Sequence, residues 1–252
     1  MSSYARSFGA RSDEIIPRVP EAEAGAGLDV LDRIVVRIDV DYRTFRGTYS
    51  AHACSGVLVR IGGVTFVLTS GLTLLERKPR DVSVTFPRFG PKAERATVRI
   101  ASVHATWSPD VGAIELDAFD ERKWSHMSPL TDADFARAAP RDGERVLLLG
   151  ALGGDPHGGV AIRTSVAAAT TRGFDVQYGP RLALHWGGRT IAAPSPSAIR
   201  GGPVLSYASR PMLLGIASAI AGTTLACETS SALVELLAAH PSESVRRAVD
   251  RL

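Results

Sequence analysis

The chain has 252 residues, of which 45% are hydrophobic and 22% charged, and it carries a formal net charge of +3. These values exclude a disordered chain, and the length fits one large all-β domain or two small ones. The basic balance comes from arginine, since Lys78, Lys92 and Lys123 are the only lysines. Basic residues are scattered or at most adjacent, as at Arg77-Lys78 and Arg246-Arg247, so no run resembles a nucleic-acid-binding arm.

In chain order, residues 1–30 are rich in Ser, Ala, Gly, Glu and Pro without a sustained period, which predicts a flexible tail. Ile34, Val36, Ile38 and Val40 then alternate as a strand. Residues 57–61 and 64–68 are joined by Gly62-Gly63, a two-residue hairpin turn, and Val82, Val84 and Phe86 alternate next. Further strands are expected at 97–104, 111–116, 145–152, 160–168, 174–178, 181–186, 204–207 and 212–218. The polar stretch 117–141, with Pro129, Asp132, Asp134 and Pro140, reads as a linker between two groups of strands. Only the end has helical spacing: 232–239, then Pro241, then Val245, Ala248, Val249 and Leu252 on one face. Many short strands with regular turns predict a sandwich or barrel architecture.

The two cysteines, Cys54 and Cys227, lack metal-site spacing and read as buried thiols in a reduced compartment. The N-terminal segment has no apolar signal core, and the uncharged run 211–227 is broken by Gly215, Ser218 and Gly222. The expectation is a cytoplasmic protein that neither spans nor sits on a membrane. Among the histidines, His52 and His185 fall in strands and read as structural residues. No HxxxH or HExxH spacing occurs, so neither metal nor cofactor is expected. The Gly-rich stretch 150–159 lacks the context of a phosphate loop and reads as a hairpin.

Three segments occur in a telling order: "ACSGVLVRIGGVTFVLTSGLTLL" (53–75), "SPDVGAIEL" (108–116), and "SAIRGGPVL" (197–205) followed by "LLGIAS" (213–218). Together they resemble the trypsin-like serine peptidases, including the bacterial HtrA-like branch, in which His, Asp and Ser follow in that order. The resemblance implies an all-β chain of two six-stranded antiparallel β-barrels with a C-terminal helical segment. Its implied divisions are a tail at 1–30, barrels at 31–116 and 142–228, a linker at 117–141 and helices at 229–252.

The same resemblance places the catalytic positions and shows them altered. Where the family reads VLTAAH, this chain has Val67-Leu68-Thr69-Ser70-Gly71-Leu72, so Leu72 stands at the histidine and no general base is present. Asp110 matches the triad carboxylate. Arg200 stands at the nucleophile before Gly201-Gly202-Pro203, and a protonated guanidinium cannot attack a carbonyl. Ala198 replaces the glycine that opens the oxyanion hole. Cys54 lies near the cleft floor but has no base beside it and reads as a small buried hydrophobe.

These substitutions predict a catalytically inactive homologue, a pseudoprotease serving as a protein-interaction or regulatory module. The alternative is an active hydrolase or peptidase with a non-standard site. A protein or peptide partner is expected to add as a strand along Leu214, Gly215, Ile216, Ala217, Ser218 and Ala219. A buried Asp110 that has lost its histidine should find a new partner, and Arg200 is expected to bond it at about 2.7–2.9 Å.

Overall fold

The computed structural model describes residues 30–43, 49–75, 82–86, 97–151, 159–178, 185–186, 189–190, 199–221 and 223–252. Several sequence expectations fall outside these residues: the tail, the tip of the 150–159 hairpin, most of the strand at 181–186, Ala198, and the side chains of His52 and His185.

A helical turn at 30–34 leads into β1 (Val35–Arg43), β2 (Tyr49–Ile61) and β3 (Val64–Thr69). The β2–β3 turn is Gly62-Gly63, with φ of 58° and 83°, the pair of positive values that a two-residue hairpin needs. Then come a short helix α1 (Gly71–Leu75), β4 (Val82–Thr85), β5 (Thr97–Val98), β6 (Ile100–Ala105) and β7 (Gly112–Leu116). These strands form one curled sheet in the order β5-β4-β1-β2-β3-β7-β6. Its two edge strands are separated in the chain by Arg99 alone. One bent strand therefore closes the curl covalently, where a six-stranded barrel with a continuous ladder was expected.

The segment 117–141 is more than a linker. It contains β8 (Leu130–Thr131), which pairs in parallel with β2, and a 3-10 turn, Asp132–Asp134. Trp124, Met127 and Phe135 are buried in it. Its polar and proline content suggested a surface path, but three apolar side chains at irregular spacing are enough to fasten it down.

The second half is a closed six-stranded barrel. Its strands are β9 (Arg145–Ala151), β10 (Gly159–Ala169), β11 (Gly173–Gln177), β14 (Pro203–Ser206), β15 (Leu213–Ala221) and β16 (Thr224–Thr229). Between them β12 (His185–Trp186) and β13 (Arg189–Thr190) make a separate pair. No local pattern announces β16. Its run Thr-Leu-Ala-Cys-Glu-Thr alternates only between buried and half-buried residues, and it is ordered by ladders to β11 and β15 on either side. Helices α2 (Ser230–Ala238) and α3 (Glu243–Val249) follow, the first capped by Thr229, whose hydroxyl accepts from the Ala232 N–H.

Among the described residues three hydrophobic clusters explain the assembly. One fills the curled sheet, with Ile38, Val67, Phe86 and Ile114; another fills the barrel, with Leu148, Ile162, Val176 and Val204. The third lies between the two halves, joining Val57, Phe66 and Leu68 to Leu147, Leu149 and Ile216, and is sealed by Leu233, Leu237 and Val245 of the helices. Each such buried side chain contributes about 1.5–3 kcal/mol, so the two halves are held as one body and a fixed cleft opens along their seam. Among the described residues no helix is long and apolar enough to cross a membrane.

Candidate active-site cleft

The three segments singled out in the sequence meet at this seam. Leu72 lies in α1 directly after β3, Asp110 sits in the loop between β6 and β7, and Arg200 occupies the turn before β14. The turn is seated by backbone bonds. The Ser55 N–H donates to the Arg200 carbonyl at 2.8 Å, the Gly201 N–H to the Ala217 carbonyl at 2.7 Å, and the Ala217 N–H to the Gly202 carbonyl at 2.9 Å.

The seat has no room for a side chain at its glycines. Gly201 has φ of +77°, and a Cβ there would lie 2.0 Å from Thr69 Oγ1 and 2.2 Å from the Ser55 carbonyl oxygen. Sequence reading overlooked Ser55, which is fully buried and ties three pieces of chain together. Its hydroxyl accepts from the Ala151 N–H at 2.8 Å and its carbonyl accepts from the Thr69 hydroxyl at 2.8 Å. The turn that carries Arg200 is thus held rigidly by backbone bonds and by glycines that admit no side chain.

Asp110 is not bonded to Arg200, contrary to the expectation. Its carboxylate accepts from the Ser70 hydroxyl, at 2.9 Å to each oxygen, and from the Leu72 N–H at 2.6 Å. The physical reason is proximity. The start of α1 presents a backbone N–H and a hydroxyl directly to the carboxylate, and both are fixed without ordering a long side chain. Ser70 was the missed signal, since it stands where the resembling peptidases have alanine. The Asp110 N–H in turn donates to Glu228 Oε1 at 3.0 Å, a link from β16 that no local pattern announced.

Arg200 turns the other way. Its Nε donates to the Ser218 carbonyl at 2.6 Å. Ser218 is the extra residue of a bulge in β15, between Ala217 and Ala219, and its own hydroxyl donates to the Ala226 carbonyl at 3.0 Å. The bulge frees the Ser218 carbonyl from the β16 ladder, and Arg200 takes it.

This bond also corrects the expected binding edge. Gly215 and Ile216 are paired on both sides by β14 and β16, and Ala217 by the Gly201-Gly202 turn and β16, so they offer no free edge. Beyond them, among the described residues, β15 is paired by β16 alone, and there the Ser218 carbonyl is already held by Arg200. Next to Asp110 lies a cleft of about 680 Å³, lined by Ser108, Pro109, Arg172, Asp175, Ser218 and Glu228 among others. Cys54 does not serve as a substitute nucleophile: it is fully buried, and burial pushes its thiol up to about 12.

Fold and loop order define a trypsin-like double-barrel architecture. The solved structures of the Rv3671c protease from M. tuberculosis are similar to this chain. The active form matches with a TM-score of 0.59 at 15% identity, over 97% of this chain and 97% of that one. The inactive form matches with a TM-score of 0.53 at 16% identity, over 89% of this chain and 97% of that one. At this identity the likeness is one of fold. No family model and no curated protein matches the sequence.

Proposed function

We propose that the chain is a catalytically inactive homologue of the trypsin-like peptidases that works in the cytoplasm as a protein-interaction or regulatory module. The observation that supports it most is the rewiring of Asp110. A triad carboxylate acts by orienting an imidazole; here its oxygens are taken by the Ser70 hydroxyl and the Leu72 N–H, and position 72 carries an isobutyl group. At the other end of the former proton path stands a guanidinium, fixed to a backbone carbonyl. Proton transfer and nucleophilic attack are removed together, while the seat of the loop is kept.

The partner in this reading is a protein or peptide that enters the cleft beside Asp110 and Glu228. It meets the side of β15 beyond Ala217 that no described strand pairs, where main-chain bonds supply affinity without any triad. To reach the Ser218 carbonyl it must displace Arg200.

The test is turnover. Purified protein is expected to leave casein, peptide libraries and ester substrates at the buffer rate and to resist labelling by a fluorophosphonate. Turnover that scales with protein and disappears on substituting one cleft residue overturns the proposal in favour of a hydrolase with a non-standard site. Restoring Leu72→His and Arg200→Ser together is expected to give little activity, because Asp110 remains engaged by Ser70.

A further inference from the structure

Away from the cleft, three side chains that no local motif connects are brought together by register. On the β6–β7 ladder Ser102 lies opposite Glu115, and on the β3–β7 ladder Glu115 lies opposite Phe66. Side chains alternate along a strand, so Ser102 and His104 share the face of Glu115 and Phe66. The turn between α2 and α3 covers that face with His240, which is 4% exposed. Ligand-capable atoms of His104, Glu115 and His240 all lie within 4.8 Å of one another.

We infer that His104, Glu115 and His240 form a binding site for a first-row divalent metal ion, zinc by its donor set, that clips the C-terminal helices to the N-terminal sheet. Two imidazoles and one carboxylate are a zinc ligand set that leaves a fourth position for water. Two donors on a tetrahedral zinc are about 3.3–3.4 Å apart, given bonds of about 2.0–2.1 Å. His240 Nε2 and Glu115 Oε2 are already 3.4 Å apart. The half-buried His104 on β6 supplies the remaining adjustment.

The surroundings fix the His240 turn and the Glu115 carboxylate, while His240 Nδ1, which faces the Ser242 N–H, must change partner on binding. The Phe66 ring stands edge-on to His240 with centroids 5.2 Å apart, and the His104 and His240 rings are 5.3 Å apart. Arg246 Nη1 donates to the His240 carbonyl at 2.8 Å and the Pro241 carbonyl at 2.6 Å, fixing the turn. The Ser102 hydroxyl donates to Glu115 Oε2 at 2.6 Å and lies 3.0 Å from His104 Nε2, an outer partner that orients both. On binding, the ion takes the place of the proton between His240 and Glu115. The imidazole proton moves to Nδ1, and the 3.2 Å bond from the Ser242 N–H to that atom is given up.

The experiment uses the full chain stripped with a chelator and titrated with zinc chloride against a chromophoric competitor, with the melting temperature followed in parallel. The expected result is a single equivalent bound below about 1 μM with a raised Tm, since binding to the folded state alone stabilises it. His104→Gln, Glu115→Gln and His240→Gln are each expected to weaken binding by about 100-fold or more, at least the loss seen when an outer partner is removed. A Cys54→Ser/Cys227→Ser double variant keeps the site. If His240→Gln does not fold, the half-buried positions His104 and Glu115 decide. Failure to bind one equivalent at about 10 μM zinc, affinity unchanged in His104→Gln and Glu115→Gln, or binding that follows the thiols each overturns the inference.

Discussion

Gly201→Ala tests whether the loop that carries Arg200 is a rigid seat. The residue has φ of +77°, and its Cβ would stand 2.0 Å from Thr69 Oγ1 and 2.2 Å from the Ser55 carbonyl oxygen. A side chain in the left-handed region costs about 1–2 kcal/mol, and forcing atoms into a packed site adds about 1–3 kcal/mol. The expected loss is about 3–4 kcal/mol. For a chain of this size that is roughly 6–16 °C in Tm, at about 2–4 °C per kcal/mol. Gly63→Ala is the control, because Gly63 has φ of +83° but nothing within 4 Å of its Cβ position. It bears only the backbone cost, about 1–2 kcal/mol or roughly 2–8 °C. Both variants are measured by thermal and denaturant melts, and the difference between them isolates the steric contribution. If the two melt within about 2 °C of one another, the seat is not the close-fitting cradle described above.

Other outcomes follow from the same geometry. Asp110→Ala removes the acceptor of the Ser70 hydroxyl and the Leu72 N–H and is expected to cost about 2–3 kcal/mol in denaturant melts, against about 1 kcal/mol for Arg200→Ala, whose single bond is half exposed. Losses that fail to add in the double variant would restore a direct coupling between the two. Burial raises the thiols of both Cys54 and Cys227, so neither should react with a disulfide reagent at pH 8 until the protein unfolds, when both should. At Asp134 burial raises the carboxyl, but bonds from Arg210 and Thr131 outweigh it and hold it below its ordinary value. Its contribution is therefore fully present above the unfolded carboxylate range and is lost as the pH falls through the lower folded value, so Asp134→Asn should flatten the acid limb of a stability–pH curve.

Much of the architecture follows from local rules. Alternation places β1 and β4, apolar runs between turn residues place β9 and β10, the glycine pair places the β2–β3 hairpin, and the spacing after Pro241 places the last helix, because these signals reside in neighbouring residues. The altered positions Leu72 and Arg200 are legible too, since a side chain's chemistry is set by its identity: isobutyl accepts no proton wherever it lies. What replaces the lost chemistry is not legible. The sequence suggests that Asp110 needs a partner, and Arg200 is the conspicuous cation; the nearer donors are a hydroxyl and a backbone N–H, which carry no charge to draw the eye. The Ser218 carbonyl becomes available only through a bulge, and Glu228 reaches Asp110 only because β16 closes the barrel. His104, Glu115 and His240 are far apart in the chain, and they converge through strand register and the docking of α2 and α3. Pairings of this kind are set by hydrophobic burial between elements distant in sequence, a quantity that no window of neighbouring residues contains.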